Sequence, residues 1–379
     1  DNRQGAHVVL AVHADGDLGT LDALLDQHFV AVLKRLGNCR GQLGGLMDQG
    51  NAIAGTVDGR LHKAALATNL DDMIDIDFIA HSFVRKKSDV LAVKKILKDR
   101  NSSIKIISKI ENSEGVDNID EILDETYGIM VARGDLGVEI PAERIPVTQR
   151  LLVKKCIESK KPVIIATQML HTMIEHPRPT RAEISDVANA IYQRVDAVML
   201  SGETANGLYP VEAVATMARV AREIENDEVN NGPNIDMNLV RINNEITAQL
   251  ARSAVRASIN LRVKAIVIDT LSGRTGRYVA AFRGQMPVYA VCYRKSTMRQ
   301  LALSYGVHAI YCEPSVSREG FLLNILYYLE DRKWLSKEDL IVVLGGSFGA
   351  ATGASFLEIG NVLNLEHKAL SQYNAYRKD

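Results

Sequence analysis

From residue 74 onward the chain alternates short, continuous apolar runs with longer amphipathic stretches. The runs are rich in Ile, Val and Ala, as expected of strands that are buried on both faces. They lie at Asp75–Ser82, Ile104–Ile110, Gly128–Ala132, Pro162–Thr167 and Val195–Leu200. Helices are predicted at Ser88–Asp99, Val116–Thr126, Val147–Lys160, Arg181–Gln193 and Pro210–Asn226. The repeat of about thirty residues is the size of a βα unit. Five units in a row favour part of a (β/α)8 TIM-type barrel over an open sheet, although spacing alone does not separate the two.

A second alternation follows a polar stretch that lacks periodicity and contains Gly232-Pro233, which predicts a linker at residues 230–244. The elements after it are a helix at Glu245–Ile259 and strands at Lys264–Asp269, Val288–Cys292, Ala309–Cys312 and Leu340–Leu344. This pattern predicts a doubly wound α/β domain over residues 245–366. We expect barrel units over residues 71–229 and a polar, frayed tail at residues 367–379.

The first seventy residues do not follow either pattern. A strand is predicted at His7–His13 and a helix at Leu18–Leu36, after which seven glycines occur with weak periodicity. Three well-formed βα units cannot be fitted into this stretch. Residues 1–70 therefore form an unassigned segment, and the chain is expected to be a fragment or to carry an N-terminus of unrelated origin.

Composition narrows the possible functions. The chain has 45 basic and 46 acidic residues, so no bulk charge attracts it to nucleic acid or to a membrane surface. Any phosphate binding must be local. The four cysteines are scattered without a CxxC pair, which argues against a disulfide framework and a zinc site and favours a reducing compartment. No apolar run reaches the roughly 18 residues that would span a bilayer. We expect a cytoplasmic protein.

Polar residues follow almost every apolar run, at the end where barrel proteins place their active sites. Glu111 and Asp135 supply two hard oxygen ligands that suit Mg²⁺. Lys109 lies two residues before Glu111, so both side chains can face one site, where the ammonium would stabilise a transferring phosphoryl group. Gly134 would let a substrate approach the backbone closely. The alternative is a surface Lys–Glu pair and a Gly-Asp turn, since strand ends are often polar.

Five segments in this region resemble those of a known family. They are Ile107–Gly115, Met130–Glu139, Ala166–Leu170, Pro177–Glu183 and Met199–Ala205. In their order and sequence they look like the signature segments of pyruvate kinases, and the resemblance runs from about Asp75 to Leu365.

The resemblance implies transfer of the phosphoryl group of phosphoenolpyruvate to ADP, followed by protonation of the enolate. It makes Glu111 and Asp135 the Mg²⁺ (or Mn²⁺) ligands and Lys109 the group that stabilises the phosphoryl. Gly134, Asp135 and Thr167 would contact the substrate carboxylate. Thr167 and Ser201 would lie near the carbon that takes the proton, where a hydroxyl can pass a proton without adding charge. Weaker candidates for nucleotide or phosphate contact are Ser82, Arg85 and Lys86.

The second domain offers a separate anion site at the turn between a strand and a helix. Its residues are Thr270, Ser272, Gly273, Arg274 and Thr275. Free N–H groups at a helix N-terminus favour anions, although a plain helix cap is an even alternative. In the family this position binds the phosphate of a sugar-phosphate activator. The other half of that site would lie near residues 345–355, where the sequence departs from the family's usual pattern, so a sugar phosphate and AMP both stay open as effectors.

Other family features are absent from residues 1–70. The family's K⁺ ligands and an arginine for the phosphoryl group belong to early barrel segments that we do not find there, and the cap domain is missing by length. K⁺ is thus expected from the family without identified ligands, and a homotetramer is expected as the assembly. Two rival interpretations stay open: a Mg²⁺-dependent lyase acting on pyruvate or phosphoenolpyruvate, and a non-catalytic protein that keeps the effector domain and the oligomer surfaces.

Overall fold

The computed structural model describes residues 7–10, 77–231, 236–313, 318–346 and 353–376. The described residues fall into two compact units, one ending at Glu228 and the other beginning at Val229. None of the helices in these ranges is long and apolar enough to cross a membrane.

The first unit contains a six-stranded parallel sheet. Its strands are β1 His7–Leu10, β2 Phe78–His81, β3 Lys105–Ile110, β4 Gly128–Ala132, β5 Val163–Ala166 and β6 Ala197–Leu200. Their spatial order is β1-β6-β5-β4-β3-β2, and each neighbouring pair is parallel. The described residues thus form a partial barrel with β1 and β2 at its two edges, short of the eight strands that close a TIM barrel.

Four of the five apolar runs form strands whose side chains are mostly buried, and the fifth, β2, is a partly buried edge strand. Every residue of β4 and β5 is buried, and only the edge strand β2 exposes a residue, Ala80. Continuous apolar sequence therefore predicted these strands correctly. The strand predicted at His7–His13 is observed as β1, while the helix predicted at Leu18–Leu36 lies outside the described residues.

Helices follow the strands near most of the predicted positions, but two short helices, Arg133–Glu139 and Gly202–Ala205, were not predicted and one predicted helix is divided in two. The helices are α1 Lys87–Asp99, α2 Ser113–Asp117, α3 Ile119–Glu125, α4 Arg133–Glu139, α5 Ile145–Glu158, α6 Arg181–Tyr192, α7 Gly202–Ala205 and α8 Pro210–Asn231. Thr180 and Glu183 form a capping box at the start of α6. The single helix predicted at Val116–Thr126 is wrong, because Asn118 leaves the helical conformation and separates α2 from α3.

The second unit is a five-stranded α/β sheet in the order β11-β10-β7-β8-β9. The strands are β7 Ala265–Thr270, β8 Val288–Cys292, β9 Val307–Tyr311, β10 Leu340–Gly346 and β11 Ala354–Asn361. Its helices are α9 Ile246–Asn260, α10 Arg274–Ala281, α11 Lys295–Leu301, α12 Arg318–Asp331 and α13 Val362–Tyr376. Four strands are parallel, as predicted, and the fifth, β11, is an antiparallel edge strand that the sequence did not reveal.

The prediction of a frayed tail at residues 367–379 is also wrong, because residues 367–376 are helical. Helix α13 continues to Tyr376, and Leu365 and Ala369, four residues apart on one face, are buried in the core of this unit. Tyr373 packs against the same core on the next turn. A narrow apolar stripe is enough to hold a helix that looks polar in total composition.

Candidate active site

The carboxyl ends of β2 to β6 lie along one edge of the parallel sheet, so the residues that follow them are brought together. β3 and β4 are paired with Ile110 opposite Val131, which places Glu111 and the Arg133–Asp135 turn on neighbouring strand ends. β5 lies beside β4 and carries Thr167, and β6 carries Ser201. The sheet register alone therefore gathers most of the predicted site residues at one rim.

Lys109, Glu111 and Ser82 form a partly buried polar cluster at this rim, in which Glu111 is fully buried. Lys109 Nζ lies 2.6 Å from Glu111 Oε1 and donates a hydrogen bond to Ser82 Oγ at 3.1 Å. The Glu111 side chain is 0% exposed and the Lys109 side chain 17% exposed, so this is not a surface pair. A charged pair with so little water around it interacts more strongly than the same pair at the surface. The structure thus excludes the solvated Lys–Glu alternative.

The second oxygen of Glu111 holds the turn after β2. Glu111 Oε2 accepts a hydrogen bond of 2.6 Å from the Phe83 N–H, 28 residues earlier in the chain. Phe83 has a φ of 52°, in the left-handed region that bulky residues rarely adopt. Gly115 permits this arrangement, because a Cβ there would lie 2.5 Å from the carbonyl oxygen of Val84.

Glu111 and Asp135 are the two predicted metal ligands, and their surroundings differ. Glu111 Oε1 is buried and accepts no well-aligned hydrogen bond, whereas Asp135 is exposed in the first turn of α4. Within the described residues no three His, Cys, Asp or Glu side chains are grouped so that they could hold an ion alone. A pair of carboxylates completed by water and substrate oxygens is an arrangement that Mg²⁺ commonly takes. The donor set therefore fits Mg²⁺ bound together with a substrate.

Thr167 and Gly134 meet at the ends of β5 and β4. The Gly134 N–H donates to Thr167 Oγ1 at 2.7 Å, and the Thr167 hydroxyl donates to the Ala166 carbonyl at 2.7 Å. Thr167 has a φ of 66° and Gln168 a φ of 55°. Two consecutive non-glycine residues in the left-handed region, one of them β-branched, are unusual and mark a strained turn.

Ser201 follows β6 with a buried hydroxyl. Its Oγ has no hydrogen-bond partner among the described residues, and its backbone N–H donates to Glu203 Oε2 at 2.8 Å. A buried hydroxyl without a partner is uncommon in folded proteins. Its placement suits a group that hydrogen-bonds to a substrate or to water in the site.

Arg133 and Glu203 contribute more than the sequence suggested. Both stand at strand ends in the sequence, but the pattern gave neither of them a role. Arg133 is 7% exposed and Glu203 2% exposed, and each binds the backbone of the Thr167 turn. The available signal was a charged residue directly after an apolar strand for Arg133 and three residues after one for Glu203, because charged residues are rarely buried unless they are paired.

Arg85 and Lys86, the weaker candidates, are exposed at the start of α1. Their backbone N–H groups donate to Asp89 Oδ2 at 3.0 and 3.2 Å. These hydrogen bonds give partners to backbone N–H groups at the start of the helix that have none within it. The Arg85 and Lys86 side chains remain exposed to solvent.

The predicted effector turn in the second unit is built mainly as a tight turn. Thr270 Oγ1 accepts from the Gly273 N–H at 3.0 Å, and Gly273 has a φ of 77°. Thr275 is buried, whereas Ser272 is exposed. Thr270 therefore shapes the turn, and Ser272 is the hydroxyl that is accessible from outside.

The two halves of the predicted effector site approach one another within this unit. A Cβ on Gly353 would lie 2.5 Å from Arg274 Nη2, so the Arg274 guanidinium rests against the backbone at the start of β11. Beside it, Asp269 Oδ1 accepts from the Gly346 N–H at 3.2 Å. Burial, together with the Asp269 carboxylate, raises the pKa of Tyr293 above its ordinary value. Residues 347–352 lie outside the described residues.

A partial parallel barrel with polar strand ends, followed by a separate α/β domain, is the architecture of a two-domain barrel enzyme. Two family models match the chain: that of the pyruvate kinase barrel domain over residues 60–214 and that of the pyruvate kinase alpha/beta domain over residues 248–359. The chain belongs to the pyruvate kinase family.

Curated relatives agree with this assignment. The chain is 43% identical over 300 residues to pyruvate kinase from Borreliella burgdorferi, a match that covers 76% of this chain and 61% of that protein. It is 46% identical over 285 residues to pyruvate kinase from Bacillus licheniformis, covering 75% and 48%. It is 48% identical over 284 residues to pyruvate kinase from Geobacillus stearothermophilus, covering 74% and 48%. The chain spans about half to three fifths of the length of these relatives.

Proposed function

We propose that this chain carries the phosphoenolpyruvate-handling half of a pyruvate kinase site and transfers a phosphoryl group from phosphoenolpyruvate to ADP. The main support is the buried Lys109–Glu111 pair, with the Lys109 ammonium also bound to Ser82. A positive charge held in a site with little water is suited to the negative charge of a phosphoryl group in transfer.

The reaction exchanges one P–O bond for another. The bond between phosphorus and the enol oxygen of phosphoenolpyruvate breaks, and a bond to the terminal phosphate oxygen of ADP forms, giving ATP and the enolate of pyruvate. Lys109 stabilises the charge on the phosphoryl group during this step. The enolate then takes a proton at its methylene carbon, and the hydroxyl groups of Thr167 and Ser201 lie on the rim where that proton would be passed on.

The substrate carboxylate would be bound at the turn between β4 and α4. The Gly134 N–H already donates to Thr167 Oγ1, so a carboxylate oxygen would take over this donor as it binds. The N–H groups of Gly134 and Asp135 and the hydroxyl of Thr167 are then the donors to that carboxylate. Because Gly134 has no side chain, the substrate can approach these donors closely.

Mg²⁺, or Mn²⁺ in its place, would be held by Glu111 and Asp135. When bound, the ion neutralises charge on the phosphate and carboxylate oxygens of the substrates. The feature of this chain that supports the assignment is the buried Glu111 carboxylate at the strand end beside Asp135, although its Oε1 is paired with Lys109 Nζ. K⁺ dependence is proposed on family grounds.

The proposal includes phosphoenolpyruvate and ADP/ATP as ligands, a homotetrameric assembly and a phosphorylated effector such as a sugar phosphate or AMP at Ser272, Gly273 and Arg274. It also places the protein in the cytoplasm. Free thiols at Cys156, Cys292 and Cys312 support a reducing compartment.

The test combines metal binding with catalysis. Mn²⁺ binding, measured by paramagnetic relaxation of water protons, should be lost when Glu111 and Asp135 are both replaced by alanine. Glu139→Ala, which removes an exposed carboxylate from the same helix as Asp135, is the matched control and should bind Mn²⁺ normally. ATP formation from phosphoenolpyruvate and ADP, followed by a coupled assay, should require Lys109. Unchanged Mn²⁺ binding in the double variant refutes the metal site, and turnover that survives Lys109→Ala refutes the catalytic assignment.

A further inference from the structure

The turn at residues 167–170, which begins with Thr167, is held from two sides by buried charges of opposite sign. On one side, Arg133 Nη2 donates to the Thr167 carbonyl at 2.8 Å and to the Gln168 carbonyl at 3.4 Å. The same guanidinium binds the Asp186 carboxylate, with Nη1 2.7 Å from Oδ1, so the positive charge of Arg133 is paired with a negative one. The cation therefore fixes the carbonyl groups of the first two residues of the turn.

On the other side, a carboxylate fixes an N–H group. Glu203 Oε1 accepts a hydrogen bond from the Leu170 N–H at 3.0 Å, while its Oε2 accepts from the Ser201 N–H at 2.8 Å. Glu203 is 2% exposed. One buried carboxylate thus joins the turn after β5 to the turn after β6, and both of these turns carry a hydroxyl of the proposed site.

The turn needs such support because its backbone is strained. Thr167 and Gln168 both have positive φ values, a conformation that is costly and persists only where the surrounding structure enforces it. In this conformation the Thr167 hydroxyl accepts a hydrogen bond of 2.7 Å from the Gly134 N–H. Hydrogen bonds to charged groups are stronger than those between neutral groups. The hydrogen bonds from the charged Arg133 and Glu203 side chains therefore help to hold the strained turn.

We propose that Arg133 and Glu203 are positioning residues that hold the 167–170 turn and the Ser201 backbone in the geometry needed for proton transfer. Neither is assigned a contact with the substrate. The inference rests on the proposed function, because it gives the two residues their purpose in the protonation of the enolate. Displacement of about 1 Å in a catalytic group can cost about 10²-fold in rate, so a loss of either anchor should be visible in catalysis.

The experiment follows the exchange of pyruvate methyl protons with deuterium in D₂O, by proton NMR, on the full chain with Mg²⁺ present. This exchange depends on the proton-transfer step and not on phosphoryl transfer. Glu203→Gln preserves the shape of the side chain but leaves it only one acceptor oxygen. Either the Leu170 N–H or the Ser201 N–H therefore loses its hydrogen-bond acceptor. We expect the exchange rate constant to fall at least about tenfold, with little change in half-saturation by pyruvate, in line with the loss of one charged hydrogen bond. Arg133→Met should cause a similar loss, and Arg133→Lys should restore part of it.

Glu183→Gln is the matched control. Glu183 also uses a carboxylate to accept backbone N–H groups, from Thr172 at 2.7 Å and Thr180 at 2.8 Å, but it holds the segment after the turn. Although burial opposes its ionisation, these hydrogen bonds keep the pKa of Glu183 below its ordinary value. Glu183→Gln should lower thermal stability about as much as Glu203→Gln while leaving the proton-exchange rate within about twofold.

A direct structural readout accompanies the kinetics. Amide hydrogen exchange at Leu170 should accelerate in Glu203→Gln and stay unchanged in Glu183→Gln. Normal Leu170 protection together with a normal proton-exchange rate in Glu203→Gln would overturn the inference, as would an equal kinetic loss in Glu183→Gln. If the unmodified chain exchanges no pyruvate protons, the proposed function has failed for this chain. Leu170 protection then still decides whether Glu203 holds the turn.

Discussion

Gly115→Ala tests whether close backbone packing positions the carboxylate of the proposed metal site. A Cβ at residue 115 would lie 2.5 Å from the Val84 carbonyl oxygen, a distance below the 3.0 Å that real Cβ contacts respect. The Val84 carbonyl belongs to the same turn as the Phe83 N–H, which binds Glu111 Oε2 at 2.6 Å. The new methyl group must therefore push this turn away from Glu111.

The expected cost follows from two opposing effects. Extra volume in a close-packed region typically costs about 1–3 kcal/mol. Alanine is better than glycine in a helix by about 1 kcal/mol, and residue 115 lies in the short helix α2. The net destabilisation should therefore be up to about 2 kcal/mol. The displacement, from 2.5 Å to at least 3.0 Å, is large enough to weaken the Phe83–Glu111 hydrogen bond.

Two measurements check this prediction. Amide hydrogen exchange at Phe83 should accelerate, and the affinity for Mn²⁺ should fall, because Glu111 loses the donor that orients it. Gly137→Ala is the control, since a Cβ there would touch only the terminal methyl group of Ile145, at 3.0 Å. Gly137→Ala should leave the free energy of unfolding unchanged or raise it slightly. If Gly115→Ala binds Mn²⁺ and protects Phe83 as the unmodified chain does, the packing of this turn does not position Glu111.

Three further predictions concern other parts of the chain. Burial, followed by the neighbouring Glu330 carboxylate, raises the pKa of Glu366, so the stability it contributes is present at acidic pH and is lost as the pH rises through its folded-state pKa. Glu366→Gln should therefore raise the melting temperature at pH 8 more than at pH 4.5, and an equal shift at both would contradict this. At the predicted effector turn, at least one compound in a panel of sugar phosphates and AMP should raise the melting temperature, and this shift should be lost in Ser272→Ala. If no compound raises the melting temperature, the turn is only a helix cap. A hybrid chain given a complete family N-terminus should turn over at least about a hundredfold faster than this chain, because several preorganised donors are restored together; comparable turnover would show that residues 1–70 supply them.

The sequence predicted the strands well because burial on both faces leaves a signal that needs no tertiary information. Gly128–Ala132 is continuous, apolar and completely buried, and its predicted and observed bounds agree. Strand β11 was missed because only Ala354 of its residues is buried and it contains Gly360, so neither a continuous apolar run nor a clear period marks it. The site residues were predicted at strand ends, but their contacts could not be. Glu111 is hydrogen-bonded to Phe83, 28 residues away in the sequence, and Arg133 to Thr167, 34 residues away. At such sequence separations only the tertiary fold determines which groups are in contact.

The strained turns of the rim show why local sequence rules fail where the site is built. Neither Phe83 nor Thr167 is a residue that a sequence pattern would place in the left-handed region, and both adopt it directly after a strand. In each case a buried charged side chain from the neighbouring strand end binds the backbone of the turn, Glu111 for Phe83 and Arg133 for Thr167. Glu111 is thus at once the proposed metal ligand and the anchor of its neighbour's turn. Replacing it should disturb Ser82 and Lys109 as well as metal binding, so the effects of variants along this rim should be non-additive, as expected of groups in one hydrogen-bonded network. Independent, additive losses for Glu111→Gln and Ser82→Ala in a double-mutant cycle would show that the rim consists of separate sites.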